Sequence, residues 1–172
     1  MARRCEYVHY QLKNIFNFVK DKNNLLSHDI WSCGDKSNSL REFYCSPKGK
    51  AVLSDEHAVN GDSCIKVNRI VPSEDTSTIY LTVDINVTEY HGRTLLFKAD
   101  VLNTSNATIS LQLNDKHSVG YVAIPHNTSM ETYSCSLQIN ENATAMTCLI
   151  SINSNVTQEE SIFTDNWRLI IS

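Results

Sequence analysis

The chain has 172 residues, 41% of them hydrophobic and 20% charged, and 15 basic side chains against 19 acidic ones leave a net charge of −4. That length suits one well-buried core rather than two domains. The acidic balance offers no field to gather nucleic acid, and no apolar run approaches the ~20 residues a bilayer-spanning helix needs.

Two features of the composition pull in different directions. The opening MARRCEYVHY carries two arginines with no apolar stretch after them, so it does not read as a secretory leader. Six cysteines and six Asn-x-Ser/Thr triplets, at Asn86, Asn103, Asn106, Asn127, Asn142 and Asn155, suit an exported protein. A chain rich in Asn, Ser and Thr also generates such triplets by chance. The cysteines show no C-x-x-C spacing, which leaves a zinc site without support. Cys135 and Cys148 flank the loop around Ile139–Asn142 nearly opposite one another, as a cross-strand disulfide or as two buried thiols. Cys33 and Cys45 are a second pair, placed to staple a long loop.

In chain order, residues 5–21 come first. Val8, Leu12, Ile15, Phe16 and Val19 recur at spacings of three and four, which predicts one helix with an apolar stripe. The stripe packs either on its own domain or on the same helix of another copy, making a homo-oligomer. Residues 23–46 are polar and irregular, with Trp31 the large aromatic among them. A short strand over Ala51–Ser54 follows, then the Asn60–Gly61 turn signal. Next comes a strand begun by Ile65 and Val67 and stopped by Pro72. From there apolar and polar residues alternate in Thr78–Ile85, Arg93–Val101, Ala107–Leu113, Ser118–Ile124, Met130–Leu137, Ala145–Ile152 and Ile162–Ile171. Period-two alternation puts one set of side chains on each face of a strand. Short strands at this spacing predict an all-β fold, an antiparallel sandwich of eight or nine strands. The chain therefore divides into a helix over 1–22 and a sandwich over 23–172. In the last strand Phe163, Asp165, Trp167, Leu169 and Ile171 would share one inward face. A carboxylate there needs a partner, because burying it unpaired costs several kcal/mol.

Catalytic patterns are sparse. There is no G-x-S-x-G, H-E-x-x-H or phosphate-cradling glycine loop. Asp55–Glu56 and Glu159–Glu160 are adjacent pairs, which in a strand point to opposite faces and make no acid/base couple. The reading is non-enzymatic.

Several segments, in order, resemble the jelly-roll carbohydrate-binding modules of galactose-binding-like fold. NLLS at 24–27 matches their opening, and EHAVNGDSCIKV at 56–67 resembles their H-S-G-x-x-S-L-K-V hairpin. HGRTLLFKADV at 91–101 and METYSCSL at 130–137 resemble two of their inner strands. SIFTDNWRLIIS at 161–172 resembles the closing V-Y-F-D-N-V-R-L, with Asp165 at the family's aspartate. The resemblance implies a structural calcium held by Asp165 with loop carbonyls. Asp29 stands where the family has a glutamate after its opening motif. A carboxylate that simply accepts backbone or Asn hydrogen bonds is the alternative for Asp165. It also implies sugar recognition by aromatic stacking and planar polar groups on an outer sheet face. The outward candidates are Tyr80, Asp84, Lys98, Asp100 and Gln112, flanked by Tyr121 and by Trp31 in its loop. Trp31, Tyr80, Asp100, Gln112 and Tyr121 are the ligand-binding set; Asp100 occupies the family's frequent Trp position. The expected function is non-catalytic carbohydrate binding at a cell surface or outside the cell. A structural or adhesive part, such as a viral tail, fibre or coat component or a surface adhesin, is the alternative.

Overall fold

The computed structural model describes residues 24–26, 40, 43–59, 63–70, 77–107, 109–153, 157 and 160–172. The helix expected over 5–21 lies outside these residues, as do Asp29, Trp31, Cys33 and the Asn60–Gly61 turn. The described residues form ten strands: β1 (Tyr44–Cys45), β2 (Gly49–Ser54), β3 (Cys64–Arg69), β4 (Ile79–Asn86), β5 (Thr94–Asn103), β6 (Ile109–Asn114), β7 (Val119–Ile124), β8 (Glu131–Gln138), β9 (Ala145–Ile152) and β10 (Ser161–Ile171). A single 3-10 turn over Thr88–Tyr90 joins β4 to β5. All pairings are antiparallel, in a first sheet ordered β1-β4-β9-β6-β7 and a second ordered β2-β3-β10-β5-β8. The two-sheet sandwich expected from alternation is therefore present. β1 was not anticipated, because two residues are too few to display a period.

Alternation built the core. Ile79, Leu81 and Val83 of β4, Ile109, Leu111 and Leu113 of β6, and Leu95, Phe97, Ala99 and Val101 of β5 all point between the sheets and are buried. Trp167 is the largest side chain there and is fully buried. Phe97 and Phe43 meet it edge-on, each with ring centroids 5.0 Å away, and its indole N–H donates to Thr164 Oγ1 at 2.7 Å. Both needs of a buried indole, apolar contact and a hydrogen-bond acceptor, are thus met.

The last strand departs from simple alternation. Its register against β5 shifts between Asp165 and Arg168, and Asn166 takes φ 56°. This is a β-bulge, and Asn is among the few side chains that tolerate that backbone region. The extra residue inverts which positions face inward. Ile162, Trp167 and Leu169 enter the main core, whereas Phe163 joins Cys64, Leu102 and Met130 in a separate cluster. The expectation that Phe163, Asp165, Trp167 and Leu169 share a face is corrected accordingly. Asp165 belongs to the outer side, opposite Asp100 in register.

β10 is long enough to need two partners on one flank. β3 pairs its first part, from Ser161 to Thr164. Beside its second part run residues 24–26, where the Leu25 N–H donates to Leu169 O at 2.7 Å. Asn24 Oδ1 accepts from the N–H groups of Leu26 and Leu169, and its Nδ2 donates to Trp167 O.

The cysteine expectation resolves by topology. Cys135 lies on β8 of the second sheet and Cys148 on β9 of the first, so they point at one another across the core and not along adjacent strands. Both are free thiols, as are Cys45 and Cys64. Burial pushes the Cys135 thiol up to about 12. Burial, and then the nearby Cys135, raises Cys148 well above the ordinary thiol range.

Two contacts hold the sandwich together at its ends and edge. Asp115, in the β6–β7 turn, is almost fully buried and accepts from the N–H groups of His117, Ser118 and Asn140, at 2.9, 2.7 and 2.9 Å. Burial acts to raise its pKa, but these donors and the nearby His117 outweigh burial and hold it below the ordinary 3.8. A carboxyl with a depressed folded pKa stabilises fully above its unfolded value. That contribution falls away as pH drops through about 4 toward the lower folded value. Asp115→Asn should therefore cost about 1–3 kcal/mol near neutrality, since an amide NH₂ must face an N–H donor. The gap between variant and wild type should narrow as pH falls through that window, as measured by urea unfolding. At the β7–β8 edge, a Cβ on Gly120 would lie 2.1 Å from the Ser136 carbonyl oxygen. Gly120→Ala should consequently prise the two edge strands apart, and its urea midpoint should fall below even that of Gly92→Ala, which carries only the backbone strain of φ 71° because its Cβ meets nothing within 4 Å.

Candidate functional site

The two sheets differ in what covers their outer faces. On the second sheet, the loop after β2 folds back over β3 and β10. His57 packs edge-on against Phe163 with centroids 4.5 Å apart, and the Val59 N–H donates to Asp165 Oδ2 at 2.7 Å. Lys66 lies 5.1 Å over the Phe163 ring and pairs with Glu56. Cys64 is buried beneath this loop, its thiol raised to about 11, by burial foremost.

On the first sheet's outer face, several side chains are exposed among the described residues. Register places Tyr44, Thr82, Leu149, Gln112 and Tyr121 side by side on five successive strands, β1, β4, β9, β6 and β7. One step along lies the row Tyr80, Ser151, Ser110 and Ala123. One step the other way lie Asp84, Thr147, Asn114 and Val119. Four strand spacings of about 4.8 Å separate the end tyrosines, about 19 Å along the sheet. Both ends are well exposed, Tyr44 at 58% and Tyr121 at 71%, and Tyr80 stands at 42%. Aromatic rings left this bare on a flat face are free to stack on a ligand.

Within this face a groove of about 370 Å³ runs beside β6 and β7, lined by Ile109, Ser110, Gln112, Val119, Tyr121, Ala123, Ser151 and Asn153. Gln112 donates from Nε2 to Ser110 Oγ at 2.7 Å, which fixes the amide plane on the groove floor. Beyond the groove, Thr147 Oγ1 donates to Asp84 Oδ1 at 2.5 Å. The lining combines apolar surface, hydroxyls and planar amides, the chemistry that suits a polyhydroxylated ring with apolar faces.

The structure thus brings together three expected ligand residues, Tyr80, Gln112 and Tyr121. Asp100 is not with them. It sits on the outer side of the second sheet, 5% exposed, accepting from Thr132 Oγ1 and from Asn166 Nδ2. The period-two pattern told which residues point outward but not from which sheet. Trp31 lies outside the described residues. Tyr44 was missed because β1 is too short to show alternation; Leu149 joins the row in register but is buried, at 6% exposure.

Asp165 is fully buried, with Oδ1 accepting from the Asn166 N–H at 2.7 Å and Oδ2 from Val59. Calcium requires converging oxygens, whereas these two described partners are N–H donors. Among the described residues no group of three His, Cys, Asp or Glu side chains could hold a metal ion. The expected calcium site draws on Asp29 and the Asn60–Gly61 turn, which lie outside the described residues. Through the Val59 N–H, Asp165 ties the loop after β2 to β10.

No family model matches the sequence, and none of the curated proteins does. Solved structures do share its architecture. A family 61 carbohydrate-binding module in complex with β-1,4-galactotriose superposes with a TM-score of 0.60 at 11% identity, over 88% of this chain and 100% of that one. The chain has the jelly-roll fold of the carbohydrate-binding modules. The CBM22-1 xylan-binding domain of Paenibacillus barcinonensis Xyn10C gives a TM-score of 0.57 at 9% identity, over 82% of this chain and 91% of the module. The enzymatically active domain of bacteriophage CBA120 tailspike protein 4 gives 0.61 at 14% identity. There the chain, 87% covered, spans only 21% of the larger protein. At such identities the likeness is one of fold. No helix among the described residues is long and apolar enough to cross a membrane.

If Asp165 is only this tie and not a metal ligand, the melting temperature should be indifferent to chelator on protein first loaded with calcium. A fall of several degrees on chelation would return the ion to this site. Asp165→Asn should cost about 1–3 kcal/mol in urea unfolding, by setting an amide NH₂ against a backbone donor.

Proposed function

We propose that this protein is a non-catalytic module that binds a carbohydrate chain across the outer face of its first sheet. One observation carries the reading: the register row from Tyr44 to Tyr121, with an exposed ring at each end and Gln112 on its floor. An extended glycan laid along this row would stack on Tyr44 and Tyr121. Gln112, Ser110 and Ser151 would meet its hydroxyls. The groove lining holds no carboxylate, imidazole or thiol, so it supplies positions for binding and none of the paired acids of glycoside hydrolysis. The galactotriose-bound and xylan-binding relatives support a linear β-linked polysaccharide as first choice. Such a ligand favours work at a cell surface or outside the cell.

The test is titration calorimetry and affinity electrophoresis against xylan and β-1,4-galactan oligosaccharides, extended by a glycan array. Tyr121→Ala and Tyr44→Ala should each weaken binding about tenfold, which is about 1.4 kcal/mol. Lys98→Ala, on the other sheet's outer face, should leave it unchanged. Retained affinity in both tyrosine variants would move the site elsewhere. The tailspike likeness favours a second reading, in which the fold serves as a structural part of a surface or virion assembly. Absence of binding to every glycan, together with a defined oligomer by light scattering, would support that reading instead.

A further inference from the structure

The Asn-x-Ser/Thr triplets are not equivalent once folded. Asn103 is fully buried, with Nδ2 donating to Ala107 O at 2.8 Å and Ile124 O at 3.2 Å, while Oδ1 accepts from Ser105. Asn127 is 9% exposed; its Nδ2 donates to Val101 O and the Tyr133 hydroxyl, and its Oδ1 accepts the Asn103 N–H at 2.7 Å. These two amides tie the β5 end to the β7–β8 loop, and their nitrogens are enclosed. Both belong to serine triplets, Asn103-Thr104-Ser105 and Asn127-Thr128-Ser129.

Asn86 and Asn142 are the reverse. Both are exposed and both head threonine triplets, Asn86-Val87-Thr88 and Asn142-Ala143-Thr144. Among the described residues, the Asn86 side chain bonds through Oδ1 alone and the Asn142 side chain has no hydrogen bond, so each exposed Nδ2 is without a described partner. At Asn86 the triplet is already closed on itself. Oδ1 accepts from the Thr88 N–H at 3.0 Å and from Thr88 Oγ1 at 2.8 Å, an Asx turn that leaves the amide nitrogen pointing out. The two lie at one end of the sandwich: Asn86 is register partner of Ala145, three residues after Asn142, and the Val87 N–H donates to Thr144 O. Asn106 is exposed too, but its Thr108 is outside the described residues.

We propose that Asn86 and Asn142 are N-glycan acceptors and that Asn103 and Asn127 are structural amides closed to modification. The donor is a lipid-phosphate-linked oligosaccharide, delivered by an oligosaccharyl transferase. The amide Nδ2 attacks the anomeric carbon, forming a C–N bond as the C–O bond to the lipid phosphate breaks. The phosphate leaves with the electron pair, and the nitrogen gives up one proton to it. Asn86 is the outward residue next after Asp84 on β4, about 13 Å from the Tyr44–Tyr121 row. Its glycan would border that face at one end and leave the row open.

The test is production of the full chain behind an export leader in a glycosylating secretory host. Enzymatic deglycosylation that converts each acceptor Asn to Asp, read by peptide mass mapping, then locates the sugars. The expected result is occupancy at Asn86 and Asn142 and none at Asn103 or Asn127 in the folded, secreted fraction. Thr88→Ala should abolish the Asn86 glycan with the asparagine still present, and Thr88→Ser should retain it. An unmodified Asn86 or Asn142, or sugar on Asn103 or Asn127 in protein with an unchanged circular-dichroism spectrum, would overturn the assignment. Glycan binding by the sheet face is measured separately, so its failure leaves this result standing.

Discussion

The bulge at Asn166 is the constraint on which the rest of the second sheet depends. β10 is the middle strand of that sheet, and its two halves present opposite parities to the core. Without the extra residue, the register that buries Ile162 would send Trp167 and Leu169 to the outside. With it, Trp167 fills the centre of the sandwich between Phe43 and Phe97, while Phe163 and Asp165 face outward. The positive φ that this geometry requires is carried by a residue type that bears it at low cost.

That inversion has a second consequence. An outward-facing Phe163 and a buried carboxylate both demand cover, and the loop after β2 supplies it through His57 and the Val59 N–H. Burying an ionisable group is unfavourable unless its oxygens are hydrogen-bonded, and Asp165 satisfies that condition with backbone donors. The second sheet is thereby packed on both sides over part of its width. On the first sheet's outer face Thr, Ser, Gln and Tyr share the rows with Leu149, Ala123 and Val119, and among the described residues Tyr44, Tyr80 and Tyr121 stay exposed.

Buried polar groups repeat the same logic at the sandwich ends. Asp115 gathers three backbone N–H groups between two loops, and Asn103 and Asn127 bond each other's backbone across the opposite end. Each is an acceptor or amide placed where a turn leaves main-chain groups without strand partners. These ties join the loops at both ends of the sandwich.

Local periodicity by itself determined the strands and the inward set. Leu81, Phe97 and Leu111 each sit in an alternating stretch whose period is a property of the strand alone; seven of the ten described strands were legible from it, and β2 and β3 from the turn signals around them. What it could not contain was any comparison between strands. That Tyr80, Gln112 and Tyr121 share a face while Asp100 lies on the other sheet follows from the pairing order β4-β9-β6-β7, which joins residues far apart in sequence. Tyr44 became part of the face only because β4 holds a two-residue strand too short to announce itself. The inward partner of Cys148 was likewise chosen by the stacking of two sheets and not by the loop between them. The environment of Asp165 turned on a single bulge, since one inserted residue moves every side chain after it to the opposite face. Periodicity is a one-dimensional signal; sheet membership, register and parity across a bulge arise when strands pair in three dimensions.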